Sequence, residues 1–178
     1  MQSRSAAPAA LARVLVVTHT PGITKASSLA TIRWALSSGN FLKGTYSRVH
    51  QWAFDGGVVV PASPALSSVP LPYSDASCVD PEEAFVAAIS SCHLLSFLYV
   101  AFKAGVEVVS YEDNAVGTMA MNERGVKWVN AVELHPRILY GANAPTPEVE
   151  ARLHHEAHEQ CYIANSVKTD IRVVTPEG

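Results

Sequence analysis

The sequence predicts one α+β domain with mainly antiparallel sheets, a long central helix and a second helix. Two observations predict it: segments with strand-like alternation come in groups, and two other segments begin with helix-capping residues. With 178 residues, of which 48% are hydrophobic and 16% charged, the chain can bury a sizeable core without disulfides or metal. We assign the domain to residues 30–178 and treat residues 1–29 as an N-terminal extension.

The first predicted sheet is a three-stranded antiparallel meander. Residues 31–36 and 44–54 alternate in polarity as strands do, and Asp55 with two glycines favours a tight turn into a third strand at 58–60. Residues 61–79 contain four prolines, which argues against regular structure there. We expect this segment to be a long loop that covers a site.

The central helix is predicted over residues 80–105. Asp80 is suited to cap it, Pro81 to its first position, and Glu83 to a capping box, while Gly105 favours its end. No charged residue lies between positions 84 and 102, so nearly every face of the helix is apolar. The capping residues and the polar interruptions favour a core helix of a soluble protein over a membrane span; those interruptions are Ser90, Ser91, His93 and Ser96.

The C-terminal half is predicted to hold three more strands and the second helix. Residues 106–121 and 125–138 read as two long strands joined by a turn. Residues 145–161 form the helix, with Thr146 as its cap, and residues 169–174 form a closing strand.

Charge and cysteine content indicate a cytoplasmic protein. The formal charge of -3 predicts no affinity for nucleic acid or for anionic membranes. The first 54 residues carry six basic residues and no acid, which is also typical of a transit peptide, but we favour a plain extension. Three widely spaced cysteines do not form a secreted disulfide framework, so we expect reactive thiols in a reducing compartment.

The candidate chemistry centres on Cys92, in the middle of the central helix. A cysteine in such a place is by default an inert buried thiol. A second thiol, Cys161, ends the other helix, and His93, Glu82 and Arg48 are polar groups on otherwise apolar elements. A thiolate beside a guanidinium is more nucleophilic at neutral pH, and a second thiol can resolve its oxidised form as a disulfide.

Several motifs together carry a family resemblance. The segments DPEEAFVAAISSCHLL, KAGVEV and YSRVHQWAFDGG, with Cys161 on a second helix, resemble the OsmC/Ohr family of osmotically inducible and organic hydroperoxide resistance proteins. The resemblance implies an intertwined homodimer that reduces organic hydroperoxides with two cysteines and without metal or bound cofactor. It implies Cys92 as the peroxidatic cysteine, Cys161 as the resolving cysteine, and Glu82 as the acid that orients an arginine, for which Arg48 is the best candidate.

The spacing of Glu82 and Cys92 predicts a shared site. Ten residues on a straight helix correspond to a rise of about 15 Å, too far for one carboxylate to organise the surroundings of one sulfur. We therefore expect two copies of the helix to meet antiparallel, so that Glu82 of one chain approaches Cys92 of the other.

The predicted reaction is a thiol-dependent peroxidase cycle. Cys92 attacks the peroxide, Cys161 condenses with the resulting sulfenic acid, and an external dithiol reduces the disulfide. The resemblance suggests a lipoyl-type dithiol as that reductant. We expect His93, Phe85, Ile89 and Leu95 to contact the substrate, and the apolar residues among them to favour a hydrophobic organic hydroperoxide.

Two alternative functions remain open on the same fold. His154, His158 and Cys161 share one face of the second helix and have the ligand types of a zinc site, which His155, His135 or Cys78 would complete. The other alternative is a stress protein that binds a small molecule and whose cysteines are not catalytic.

Overall fold

A computed structural model describes residues 27–175 of the chain. Of the predicted N-terminal extension, residues 1–26 lie outside the described residues. The described part contains ten strands and two α-helices: β1 Ala30–Arg33, β2 Gly39–Asn40, β3 Thr45–Tyr46, β4 His50–Phe54, β5 Val59–Ala62, α1 Pro81–Lys103, β6 Val108–Asp113, β7 Val116–Met121, β8 Lys127–Leu134, β9 Pro136–Tyr140, α2 Pro147–Gln160 and β10 Asp170–Val173.

The N-terminal sheet is the predicted meander, with strand order β1-β4-β5 and antiparallel pairing throughout. The prediction of one strand over residues 44–54 is wrong, because β3 pairs instead with β2 in a separate hairpin. Between β3 and β4 the Arg48 N–H donates to the carbonyl of Tyr73 in the proline-rich loop. Pro61 is accommodated because β5 is an edge strand.

The second half contains a long hairpin that is divided into two strand pairs. The prediction of two uninterrupted strands is wrong, since β6 pairs with β9 and β7 pairs with β8. Pro136 has no N–H for the ladder, and the N–H of His135 donates to the Asp113 carboxylate at 2.7 Å. The closing strand, β10, lies parallel to β8.

Both helices begin at the predicted caps. Asp80 accepts the Glu83 N–H at 2.8 Å, and the Glu83 carboxylate accepts the Asp80 N–H at 3.2 Å, which completes the capping box of α1. Gly105 follows α1 with a φ of 74°, in the left-handed region that glycine adopts without strain. Thr146 caps α2, which ends one residue before Cys161.

The core consists of two apolar clusters, and α1 contributes to both. Near its N-terminus Ile89 packs against Val132 and Leu134 of β8. Near its C-terminus α1 packs against α2 and the β6-β9 pair, through a buried set of Phe97, Val100, Ala101, Leu153 and Ala157. Cys92 and His93 lie between the two clusters along the helix.

The opposite side of α1 has no partner within the described residues. Its exposed apolar side chains are Leu95, Leu98, Tyr99 and Phe102. Among residues 27–175, α1 is the single helix that is long and apolar enough to cross a membrane. Its other side packs against α2 and the β6-β9 pair.

Replacing Asp80 with alanine is expected to lower the free energy of unfolding by about 1 kcal/mol, since the N-terminus of α1 loses its cap. Denaturant unfolding at a fixed protein concentration measures the change. Glu83→Gln is the matched control, because glutamine also completes a capping box. Equal losses in the two variants would contradict this account.

Candidate two-cysteine active site

The two cysteines of the predicted site lie in contact. Cys92 is half-buried on α1, and Cys161 is buried directly after α2. Their Sγ atoms are 2.7 Å apart, and both are free thiols. A disulfide bond is about 2.05 Å long, so the two sulfurs need to approach by less than about 1 Å to form one.

The two sulfurs share a hydrogen bond, and each also accepts one backbone N–H. Cys92 accepts the S–H of Cys161 and the backbone N–H of Ile163, the latter at 3.4 Å. Burial, followed by the hydrogen bond to Cys92, raises the pKa of the Cys161 thiol. Cys161 is therefore the thiol that keeps its proton and can donate it to Cys92.

The chain after Cys161 turns back so that its amides face the sulfurs. Cys161 leaves the helical conformation with φ -73° and ψ 114°, and a single turn of 3₁₀ helix follows at Ala164–Ser166. The amide side chain of Asn165 donates to the carbonyls of Glu159 and Cys161 at 3.0 and 2.9 Å, which ties this turn to the end of α2. The N–H of Ala164 then donates to Cys161 Sγ at 3.4 Å.

Two buried histidines lie beside the cysteines. His93 follows Cys92 on α1, and its Nε2 is 3.0 Å from Nδ1 of His154 on α2. Burial lowers the pKa of each ring from 6.5 to about 4; the positive potential of His158 adds to this for His93, and His93 does the same for His154. Asp113, on β6, opposes the shift for His93. Both rings are therefore neutral at physiological pH.

Arg48 and Glu82 make their contacts within the described residues elsewhere than at the two sulfurs. Arg48 donates to the carbonyl of Tyr46 at 3.0 Å, and its guanidinium lies 4.3 Å from the centre of the Tyr46 ring. Glu82 borders an open groove of about 830 Å³ between α1, the proline-rich loop and β7. Among residues 27–175 no hydrogen bond or ion pair joins either side chain to Cys92 or Cys161.

The predicted substrate contacts occupy three different environments. Ile89 is buried against β8, and Phe85 packs beside the same cluster. Leu95 is 65% exposed. His93 is 1% exposed and engaged with His154, so its ring is not open to a ligand in this chain.

The zinc alternative gains no support from the geometry. His154 turns towards His93, although it shares a helix face with His158 and Cys161. Within the described residues no three histidine, cysteine or acidic side chains are grouped closely enough to hold a metal ion.

Two contributions to the site were missed by the sequence reasoning. The sequence suggests His154 only as a zinc ligand, although its position seven residues before Cys161 places it on the same face of the helix. The amides of Ile163 and Ala164 gave no signal, since backbone donors depend on the turn and not on residue type.

The fold and the site together define an α+β protein with two thiols brought together by two helices. The family model for OsmC-like protein matches residues 74–175. The solved structure of an OsmC-like protein of unknown function from Vibrio cholerae is 44% identical to this chain with a TM-score of 0.80, and the match covers 84% of this chain and 98% of that one. The chain therefore belongs to the OsmC-like protein family.

More distant solved structures share the fold. An organic hydroperoxide resistance protein OsmC from Legionella pneumophila is 15% identical with a TM-score of 0.64, over 86% of this chain and 98% of that one. An organic hydroperoxide resistance protein from Elizabethkingia anophelis is 21% identical with the same TM-score, over 85% and 95% of the two chains. A search among curated proteins found no match.

The buried histidine pair predicts a loss of stability in acid. Because the folded-state pKa is lowered to about 4, the unfolded chain binds protons first as the pH falls below 6.5. The free energy of unfolding should therefore fall between pH 6.5 and pH 4, by an amount on the order of 3 kcal/mol for the first histidine to be protonated.

Urea unfolding across this pH range checks the prediction by comparing the wild type with the double variant His93→Leu/His154→Phe. The double variant should lose the part of the pH dependence that the pair causes. His155→Gln, an exposed neighbour on α2, is the control and should keep it. If the free energy of unfolding fell equally with pH in the wild type and in the double variant, the histidine pair would not be the cause of the instability in acid.

Proposed function

We propose that this protein is a thiol-dependent peroxidase that reduces organic hydroperoxides to alcohols in oxidative stress defence. The observation that carries the proposal is the contact of Cys92 and Cys161 at 2.7 Å, with Cys92 accepting two hydrogen bonds. A pair of thiols at this distance can form and break a disulfide with little movement of the chain. Membership of a family that includes organic hydroperoxide resistance proteins supports the proposal.

In the proposed cycle the Cys92 thiolate attacks the distal oxygen of ROOH. The O–O bond breaks, the alkoxide leaves as ROH after taking a proton, and Cys92 becomes a sulfenic acid. The Cys161 sulfur then attacks the Cys92 sulfur, releasing water and forming the disulfide. An external dithiol of the lipoyl type returns both cysteines to thiols and is itself oxidised to a disulfide.

An apolar peroxide is the proposed substrate. Phe85 precedes Cys92 on α1, and Leu95 follows it on the exposed side. Ile89 is already buried, and it belongs to the apolar cluster against which Phe85 packs. Burial of an organic tail against such residues would contribute about 0.8 kcal/mol per methylene group, a gain that hydrogen peroxide lacks. The need for a cellular dithiol leads us to propose the cytoplasm as the place of action.

A homodimer with shared sites is part of the proposal. Cys92 lies ten residues from Glu82 on one continuous helix, which corresponds to a rise of about 15 Å. The exposed apolar side chains of α1, among them Leu95 and Phe102, support burial against a second copy. In that arrangement Glu82 and Arg48 of one chain would serve the sulfurs of the other, with Arg48 polarising the peroxide.

Replacing Cys92 with serine should reduce peroxide consumption to the background rate of the reductant alone, because the nucleophile is lost. Cys161→Ser should still react once with the peroxide but should not turn over with a dithiol. Cys78→Ser is the matched control and should keep wild-type turnover, since no hydrogen bond joins its side chain to the two cysteines among the described residues. Full activity of Cys92→Ser with an intact fold would sink the peroxidase proposal.

Mixed dimers test whether the sites are shared. Chains carrying Cys92→Ser and chains carrying Glu82→Gln, each inactive alone, should together recover about a quarter of wild-type turnover after random assembly, because half of the dimers then contain one intact site. The turnover of the unfractionated mixture gives this measurement. Heterodimers purified through two different affinity tags should show about half of wild-type turnover, because each holds one of two sites.

The control for this experiment combines Cys92→Ser with Cys161→Ser. These two cysteines meet within one chain, so mixing the variants should restore nothing. If the mixture of Cys92→Ser chains and Glu82→Gln chains also stays inactive, Glu82 does not act across a dimer.

A further inference from the structure

The contact between His93 and His154 joins the two helix segments that carry the cysteines. His93 follows Cys92 directly, and His154 precedes Cys161 by seven residues, which is two helical turns on the same face. Their Nε2 and Nδ1 atoms are 3.0 Å apart. It is the only side-chain hydrogen bond between α1 and α2 within the described residues.

The pair is enclosed by protein on all sides. His93 is 1% exposed and His154 is 3% exposed, and the ring of Phe97 stacks on His154 with 4.4 Å between ring centres. A buried polar group without its partner costs about 1–3 kcal/mol. Any sliding of α2 along α1 would leave both rings unpaired, so the pair opposes that movement more strongly than the surrounding apolar contacts, which tolerate small shifts.

The position of Glu150 indicates which ring donates the hydrogen bond between His93 and His154. Its Oε1 lies 3.9 Å from Nε2 of His154, a nitrogen that has no hydrogen-bond partner among residues 27–175. If that nitrogen carries the proton, it faces the carboxylate favourably, and Nδ1 is then left to accept from Nε2–H of His93. The opposite arrangement would direct a lone pair at the carboxylate. The electrostatics therefore favour His93 as the donor and His154 as the acceptor.

We propose that His93 and His154 are positioning residues that hold α1 and α2 in the register at which the sulfurs of Cys92 and Cys161 meet. The inference rests on the proposed two-thiol chemistry but not on the identity of the oxidant. In this role the pair does not touch the substrate. It raises the effective concentration of one thiol at the other, and so favours the disulfide over the dithiol.

The test measures the equilibrium between the dithiol and the Cys92–Cys161 disulfide in buffers of reduced and oxidised dithiothreitol at pH 7. Alkylation of the remaining thiols and mass spectrometry give the disulfide fraction in the full chain. Exchange with oxidised dithiothreitol forms the protein disulfide and yields reduced dithiothreitol, so no peroxide takes part.

His154→Phe keeps a ring on Phe97 and removes only the acceptor. It should lower the equilibrium constant for the disulfide about tenfold, which corresponds to about 30 mV. The double variant His93→Leu/His154→Phe should show a loss of similar size, although it leaves no unpaired polar group and should be nearly as stable as the wild type. His93→Gln, whose amide can donate from the same position, should restore a value close to that of the wild type.

His155→Gln, on the exposed face of α2, is the control and should leave the equilibrium constant unchanged. The inference is overturned if His154→Phe or the folded double variant has the wild-type constant, even when its free energy of unfolding is lower. Where the double variant does not fold, His154→Phe carries the test alone.

Failure of this inference is distinguishable from failure of the proposed function. A shifted equilibrium constant together with a Cys92 that does not react with an organic hydroperoxide would retain the positioning role and remove the peroxidase. Rapid oxidation of Cys92 by the hydroperoxide, together with variants whose equilibrium constants equal that of the wild type, would retain the peroxidase and remove the positioning role.

Discussion

The packing of α2 against α1 is the contact on which the rest of the structure depends. Phe97 and Leu153 hold the two helices together through an apolar surface, and the sulfurs of Cys92 and Cys161 meet at one end of it. Such a surface alone would tolerate small shifts, because dispersion contacts are individually weak and not directional. The hydrogen bond between His93 and His154 adds the direction that an apolar surface lacks.

The same contact explains why the two thiols differ. Cys161 lies in the interior at the end of α2, where burial raises the pKa of its thiol. Cys92 lies at the partly open side, and the turn after α2 directs the Ile163 amide at it. Each sulfur accepts one backbone N–H, and Cys161 also donates its S–H to Cys92. In the proposed cycle the half-buried Cys92 attacks the peroxide and the buried Cys161 resolves the sulfenic acid.

Much of the fold could be predicted from local signals. The caps at Asp80 and Thr146 lie where the sequence predicts them, because capping depends on side chains within one turn of the helix. The strand bounds were less predictable. Periodicity cannot show where a hairpin ladder is broken, and the break beside His135 follows from a hydrogen bond to Asp113, a residue 22 positions away. Pro136 is the residue in the sequence that indicates the break, because proline has no N–H to donate to the ladder.

The candidate site was predictable to a smaller extent. The residue types and the family resemblance singled out Cys92 and Cys161, and the structure brings them together. Among the described residues no hydrogen bond or ion pair joins Arg48 or Glu82 to those sulfurs. A contribution from a second copy depends on assembly, which the pattern of one chain does not encode. The role of His154 depends on the rotation of α2 against α1, which no pattern within either helix determines.

The most direct test of the account is mass spectrometry of the reduced protein after one equivalent of an organic hydroperoxide, with peptide mapping of all three cysteines. The account predicts rapid formation of a disulfide between Cys92 and Cys161 while Cys78 stays reduced. If Cys92 and Cys161 both stayed reduced, or reacted only as fast as free cysteine does, the central claim would be contradicted.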